Sequence, residues 1–246
     1  MHRFFIPKEW IVDKQVSISG KIIYQLRRVL RLTPNTHIIV LDNTGWEYEI
    51  AIDSLTRYEA KGTVVTKHFS KVEPRTRITL YQALLRKSRF EYALQKCTEL
   101  GIANFVPILC KRCVAKWDNS KLERWQQIIR EAAEQSQRGM VPRLHNPLQF
   151  NDACLNADDN TFIAWEDEEE TSIRDILSKN LKSAHVNKSA INIFVGPEGG
   201  FTPVEVDTAQ SAGIASFSLG KRVLRAETAG LVASSIILYT LGDLGG

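Results

Sequence analysis

Two glycine-bearing loops carry the residue types best suited to chemistry. The first is Gly196-Pro197-Glu198-Gly199-Gly200, which follows an apolar run ending at Val195. The second opens at Leu219-Gly220 and continues through Lys221, Arg222, Val223, Leu224 and Arg225 to Glu227. Glycine takes backbone angles closed to other residues and removes side chains from a surface, so a ligand can approach the main chain. Arg222 and Arg225 add cations that stay charged, and Glu198 and Glu227 add carboxylates able to orient a polar group or take a proton. The spacing fits neither the G-x-G-x-x-G dinucleotide fingerprint nor the G-x-x-x-x-G-K-[ST] phosphate loop. One strand that stops at Gly-Pro is common punctuation. Two such loops, the second bearing the cations, make a ligand site.

The elements around these loops place them together. Ile191–Val195 is a short β-branched strand stopped by Gly196-Pro197. Thr202-Pro203, with Glu205 in the first turn, starts a helix that runs to about Ala212 and stops at Gly213. Ala215–Leu219 is a second strand, and a long apolar helix follows Arg225. Two consecutive strands that end in glycine loops leading to helices predict a parallel α/β sheet with both loops at its carboxyl edge, where ligands bind. Upstream, Ile78–Leu85, the amphipathic segment Ser88–Leu100 closed by Gly101, and Asn104–Leu109 form a strand–helix–strand unit of the same kind. Phe90, Leu94, Cys97 and either Tyr92 or Ala93 face inward on that helix. Lys87 and Arg89 stand just past its first strand, at the same edge, where a phosphate group would suit them. A further helix runs from Asn119 or Ser120 to about Gln137, with Arg138 at its end. Thr161–Trp165 is a strand whose end puts Trp165 or Glu166 beside the loops. Residues 167–190 show an acidic turn and a polar loop with no legible function.

Residues 1–72 read as a small β-rich domain, with strands near Val16, at His37–Leu41, at Trp46–Ile52 and at Ala60–Lys67, a pattern for a barrel or compact sheet. A helix from Gly20 to about Leu32 interrupts them, with Ile22, Ile23, Leu26, Val29 and Leu30 inward. Arg27, Arg28 and Arg31 project from the other side, Arg27 and Arg31 on one face. The charged, Pro74-containing stretch Lys71–Arg77 marks the boundary of two domains, 1–72 and 73–246.

The chain has 246 residues, 43% hydrophobic, and a formal net charge of +4. Its charge is uneven: residues 1–72 carry 11 Lys and Arg against 7 Asp and Glu, and residues 73–146 carry 14 against 7. A basic N-terminal portion suits a polyanion. With no apolar run of membrane-spanning length and no signal-peptide core, a soluble cytoplasmic protein is expected. Four cysteines are too few for a disulfide framework. Cys110-Lys-Arg-Cys113 is a lone CxxC without nearby histidines, and it reads as buried or incidental thiols; no metal is expected.

The stretch VGPEGGF, followed about twenty residues later by SLGKRVLRAETA, closely resembles the C-terminal signature of the 16S ribosomal RNA uridine-N3 methyltransferases, of the knotted SPOUT class. QKCTELGI, ERWQQIIREAAEQSQR, HRFF and LRRVLRL extend the resemblance over nearly the whole chain. It implies an α/β protein: a PUA-like β-barrel that holds RNA at the N-terminus, and a SPOUT methyltransferase domain with a parallel sheet and a knot. It implies S-adenosylmethionine as cofactor, 16S ribosomal RNA in the small subunit as partner, and a two-fold homodimer with its site near the interface. Trp165, Gly196, Pro197, Glu198, Gly199, Gly200, Leu219, Gly220, Leu224 and Arg225 would hold the cofactor. Arg3, Arg27, Arg28, Arg31, Lys87, Arg89, Arg138 and Arg222 would hold RNA. A neutral uridine N3 has no free lone pair for attack on a methyl group, so its proton must leave. Arg225 would stabilise the resulting anion, and Glu198 and Glu227 are both candidates for the base. Ala226–Leu241 is apolar nearly all round, a pattern buried on more than one side, which agrees with a partner subunit. A SPOUT enzyme with another ribosomal or transfer RNA target, or a non-catalytic RNA-binding assembly factor, would share much of this pattern.

Overall fold

The computed structural model describes residues 1–86, 88–158, 160–182 and 190–245; Lys87 and the polar loop 183–189 lie outside the described residues. The chain divides into two compact units: residues 1–73 with 133–141, and residues 74–132 with 142–246.

The first unit is a six-stranded sheet formed by β1 (Arg3–Phe5), β2 (Ile11–Val12), β3 (Gln15–Ser19), β4 (His37–Leu41), β5 (Trp46–Leu55) and β6 (Glu59–Phe69), in the order β1-β4-β5-β6-β3-β2. β1 pairs with β4 in parallel, and every other pairing is antiparallel. Alternation drives the fold: Val16 and Ile18 of β3, Ile38 and Val40 of β4, and Ile50 and Ile52 of β5 are all buried in one core. Two register shifts bend β5 against β6, after Glu49 and after Ile52.

The expected helix from Gly20 to Leu32 is cut short. α1 (Lys21–Tyr24) runs into a wider π-helical turn over Gln25–Val29, in which the Leu30 N–H donates to Gln25 O at 2.9 Å. Arg31 then takes φ 52°, outside the right-handed region. Arg27 and Arg31 therefore do not share a helical face, although Arg27, Arg28 and Arg31 are all exposed. Val29, expected inward, is 62% exposed because the extra residue in the turn rotates it out.

The segment 133–141 completes this unit. Ala133 and Val141 pack on Phe5, Ile39 and Leu41, and Glu134 accepts the Phe5 N–H at 3.0 Å.

The second unit is a seven-stranded sheet with all pairings parallel. Its elements are β7 (Arg77–Ala83), α2 (Ser88–Leu100), β8 (Asn104–Leu109), α3 (Leu122–Gln135), β9 (Arg143–Leu144), β10 (Leu148–Gln149), α4 (Phe150–Leu155), β11 (Thr161–Ala164), α5 (Ile173–Lys182), β12 (Ala190–Val195), α6 (Pro203–Ser211), β13 (Ala215–Phe217) and α7 (Ala226–Thr240). Only the residues of α3 through Ala132 group with this unit. The strand order is β10-β8-β7-β12-β11-β13, with β9 also beside β8. α2 buries Phe90, Ala93, Leu94 and Cys97, whereas Tyr92 is 44% exposed. α6 starts as its sequence dictates, with a capping box in which Thr202 and Glu205 exchange hydrogen bonds. α7 crosses β7 at Gly230, where an added Cβ would stand 3.1 Å from Leu80 and 3.2 Å from Gln82.

Candidate functional site

The carboxyl ends of β11, β12 and β13, with the start of α7, enclose a cavity of about 950 Å³. Three loops build it. The loop after β12 supplies Gly196, Pro197, Glu198 and Gly200; the loop after β13 supplies Leu219, Gly220, Arg222, Leu224 and Arg225; the loop after β11 supplies Trp165, Glu166 and an acidic run to Glu170. Glu227, in the first turn of α7, and Arg89, at the start of α2, complete it. The two glycine loops, separated by about twenty residues in the chain, thus share one wall because β12 and β13 flank β11 in a parallel sheet.

The glycines differ in what they face. Gly200 is buried with φ 66°, and an added Cβ would run into the Glu166 carboxylate. Gly220 has φ 105° and open space where a Cβ would lie. Gly199, expected to line the cavity, does not: its missing side chain points at Arg112, 3.4 Å away, and its carbonyl accepts from Arg112 at 2.7 Å. In this turn the Gly200 N–H bonds back to Pro197 O at 2.9 Å, so adjacent residues face opposite ways.

The carboxylates differ as well. Glu198 accepts the Arg86 N–H at 3.0 Å and the Arg89 guanidinium at 3.2 Å. Partial burial works against its ionisation, but these donors outweigh it and hold the carboxyl below the ordinary range. Glu227 is 9% exposed; one oxygen lies 3.9 Å from Arg89 Nε, and the other is buried without a hydrogen-bond partner. A buried carboxylate oxygen without a donor calls for a ligand group or a proton. Trp165 Nε1 is buried and unpartnered too. Glu168, by contrast, is consumed by the fold, since it accepts from Ser216 Oγ and from the Glu170 and Thr171 N–H groups. Burial raises its pKa, and these bonds overcome that and leave it lowered.

Arg225 is exposed at the cavity, where it occupies the N-cap position of α7, and Arg222 is exposed beside it. Arg89, expected at an RNA phosphate, stands between the two candidate carboxylates. Two further cations expected to hold RNA are paired with carboxylates inside the first unit. Arg3 pairs with Glu47 at 2.6 Å with both side chains nearly buried. Arg138 is 5% exposed and pairs with Glu73 at 2.6 Å. The same Glu73 takes the N–H groups of Gly139 and Met140. Neither pairing could be read from the sequence, because each pair joins positions far apart in the chain.

S-adenosylmethionine fits what these residues offer. The cavity is of ligand size, and Gly220 leaves open space beside it that a longer side chain would fill. The acidic loop can face the cofactor's cationic groups, and Trp165 Nε1 and Glu227 are unspent polar partners. Among the described residues, no group of three or more His, Cys, Asp or Glu side chains is arranged for a metal ion.

A family profile described as an RNA methyltransferase domain matches residues 72–238. The chain is 34% identical to the ribosomal RNA small subunit methyltransferase E of Synechocystis sp., over 94% of its own length and 75% of that protein's. It superposes with a TM-score of 0.85 on the ribosomal RNA small subunit methyltransferase E of Neisseria gonorrhoeae bound to S-adenosyl methionine, at 30% identity and with 98% of each chain covered. A methyltransferase of Legionella pneumophila in complex with the same cofactor gives a TM-score of 0.86 at 26% identity, over 97% of each chain.

Proposed function

From its membership in the RNA methyltransferase family, shown by these matches, and from the geometry of the cavity, we propose that this chain methylates N3 of a uridine in 16S ribosomal RNA, in the small ribosomal subunit. It is an S-adenosylmethionine-dependent ribosomal RNA methyltransferase of the SPOUT class. One observation carries the chemistry: Glu227, one of whose carboxylate oxygens is buried and unpartnered, is among the residues lining the same cavity as Arg225 and the two glycine loops.

S-adenosylmethionine supplies, when bound, a methyl group activated by a sulfonium. The residues of the chain prepare the nucleophile. The target base must leave its stack or lie in an open strand to enter the cavity. Arg225, always charged, donates to the uridine oxygens beside N3 and favours the N3 anion. Glu227 accepts the N3 proton through its unpartnered oxygen. Glu198 is already bound by Arg86 and Arg89 and positions the glycine loop. Arg27, Arg28 and Arg31, exposed on the first unit, hold RNA phosphates with Arg222.

The assembly we propose is a homodimer built on α7. One face of this helix is buried in its own unit through Ala233, Ile237 and Leu238, while Leu231, Val232 and Ile236 remain half-exposed and Tyr239 is 69% exposed. Among the described residues no helix is long and apolar enough to cross a membrane. We place the protein in the cytoplasm with its ribosomal substrate.

The two carboxylates give the test. Glu227→Gln should lower the rate of methyl transfer to small-subunit RNA by about 10²–10⁴, the usual span for a general base, with cofactor affinity retained. Glu198→Gln should loosen the loop and weaken cofactor affinity. Equal turnover in Glu227→Gln and wild type would remove Glu227 from the mechanism.

A further inference from the structure

Cys110 and Cys113 stand outside the cavity, and the methyl transfer described above does not use them. They bracket the turn that leaves β8. The Cys113 N–H donates to Cys110 O at 3.0 Å, which closes a four-residue turn, and the Cys110 N–H donates to Cys113 Sγ at 3.3 Å. Turn closure brings the first and fourth Cα atoms within about 7 Å, the range in which a disulfide can form. Cys110 is 8% exposed and Cys113 is half-buried, so Cys113 is the more accessible of the two residues. Both are reduced here, as are Cys97 and Cys154.

The two residues between them hold the cofactor loop. Arg112 donates to the carbonyls of Gly199 at 2.7 Å and Phe201 at 3.2 Å. The Lys111 N–H donates to Glu205 at 2.7 Å, the carboxylate that also caps α6. The glycine loop and the start of the next helix are thus fastened to a turn whose ends are two facing thiols.

We propose that Cys110 and Cys113 are a reversible dithiol–disulfide site, oxidised by a small-molecule disulfide such as oxidised glutathione, and that closing the bond loosens the Gly196–Gly200 loop through Arg112. The Cys113 thiolate attacks one sulfur of the small disulfide, whose S–S bond breaks and releases one thiolate. Cys110 then gives up its proton and attacks Cys113 Sγ, which expels the second small thiol. The cysteine pair loses two electrons and two protons, and the small disulfide becomes two thiols. Hydrogen bonding from Cys110 lowers the Cys113 thiol to about 7 against the opposing effects of burial and Glu205, so a thiolate is available at neutral pH. The same hydrogen bond, with burial, pushes the Cys110 thiol up, as expected for the resolving partner. Cys154 and Cys97 are buried with raised values and carry no comparable reactivity. In a reducing compartment such a pair is a sensor rather than a staple.

The test uses the full chain, reduced or treated with oxidised glutathione, in two measurements. Peptide mapping should find Cys110 joined to Cys113, reversed by dithiothreitol. Cys110→Ala should stop at glutathione on Cys113, and Cys113→Ser should form no link. Free thiols at both positions after treatment of the wild type, or first reaction at Cys97 or Cys154, would overturn the site. Calorimetry with S-adenosylmethionine should show about tenfold weaker binding in the oxidised wild type, the scale of one lost charge-assisted hydrogen bond, and no change in treated Cys113→Ser. Equal affinity of the oxidised and reduced wild type would overturn the coupling. That coupling rests on the cofactor reading: if the reduced protein bound no S-adenosylmethionine, reading and coupling would both fall, whereas the disulfide itself is read by mass alone.

Discussion

Gly199 and Gly200 are neighbours, yet a side chain added at one meets a different fate from a side chain added at the other. Gly200 has φ 66° and turns toward Glu166 in the cavity, whereas Gly199 turns toward the flexible Arg112 side chain. Gly200→Val should therefore abolish measurable S-adenosylmethionine binding, through a left-handed backbone that costs a branched residue about 1–2 kcal/mol and through the space the side chain fills. Gly199→Ala should stay within about threefold of wild type, since its Cβ makes only ordinary contact. Titration calorimetry on the two variants separates them, and equal losses would mean that the loop acts as a unit. The sequence marks both glycines and cannot tell them apart, because the direction of each depends on the turn that Pro197 O closes with the Gly200 N–H. Glu198 and Glu227 are alike in this. Their type and proximity to the glycine loops are legible in the chain, but their division of labour depends on Arg86 and Arg89, more than a hundred residues away in sequence.

Elements that announce themselves through local punctuation stand where the sequence puts them. Gly101 ends α2, Thr202-Pro203 starts α6, and β8 spans Asn104–Leu109 as its apolar run requires. Elements whose ends depend on distant partners do not. The helix at Lys21–Tyr24 gives way to a wide turn, and the end of α3 belongs with the first unit through Glu134 and Ala133. The three arginines at that turn remain exposed, and the phosphate contacts proposed for them do not need a shared helical face. Reversing Arg27, Arg28 and Arg31 to Glu should weaken RNA binding and flatten its dependence on salt. The log–log slope should fall by about 0.7–0.9 for each phosphate that is no longer neutralised, with cofactor affinity unchanged. An unaltered slope would place the RNA elsewhere. At the other end of the chain, Asp243 follows α7 and accepts the N–H groups of Arg75 and Thr76, both at 3.0 Å, just before β7. Burial raises its pKa, but these bonds prevail and hold it below the ordinary 3.8. A lowered carboxyl stabilises the folded state fully above 3.8, and that contribution is lost as pH falls below it through the folded value. Asp243→Ala should cost about 1–3 kcal/mol in urea denaturation at pH 7, with a smaller difference from wild type in strong acid. An equal difference at both pH values would show that the carboxylate charge is not what holds the end of α7.

At the scale of the whole molecule, basic side chains are spread over both units, and the cavity belongs to one of them. Basic side chains predominate through residue 146, while the cavity, its glycine loops and its acidic wall all come from the second unit. The half-exposed face of α7 is the seam of the dimer proposed above, which sedimentation should find. On the function proposed above, a basic surface for a polyanion and a cavity for methyl transfer suit a long RNA rather than a free nucleoside. The central claim is the identity of the product. Small ribosomal subunits from cells lacking this protein would be incubated with the purified protein and S-adenosylmethionine, and their 16S RNA digested and read by nucleoside mass spectrometry. New N3-methyluridine should appear at a single uridine with wild-type protein, and at most a trace with Glu227→Gln over the same time. Methylation on a ribose or on another base, or no methyl transfer at all by protein that binds the cofactor, would contradict it.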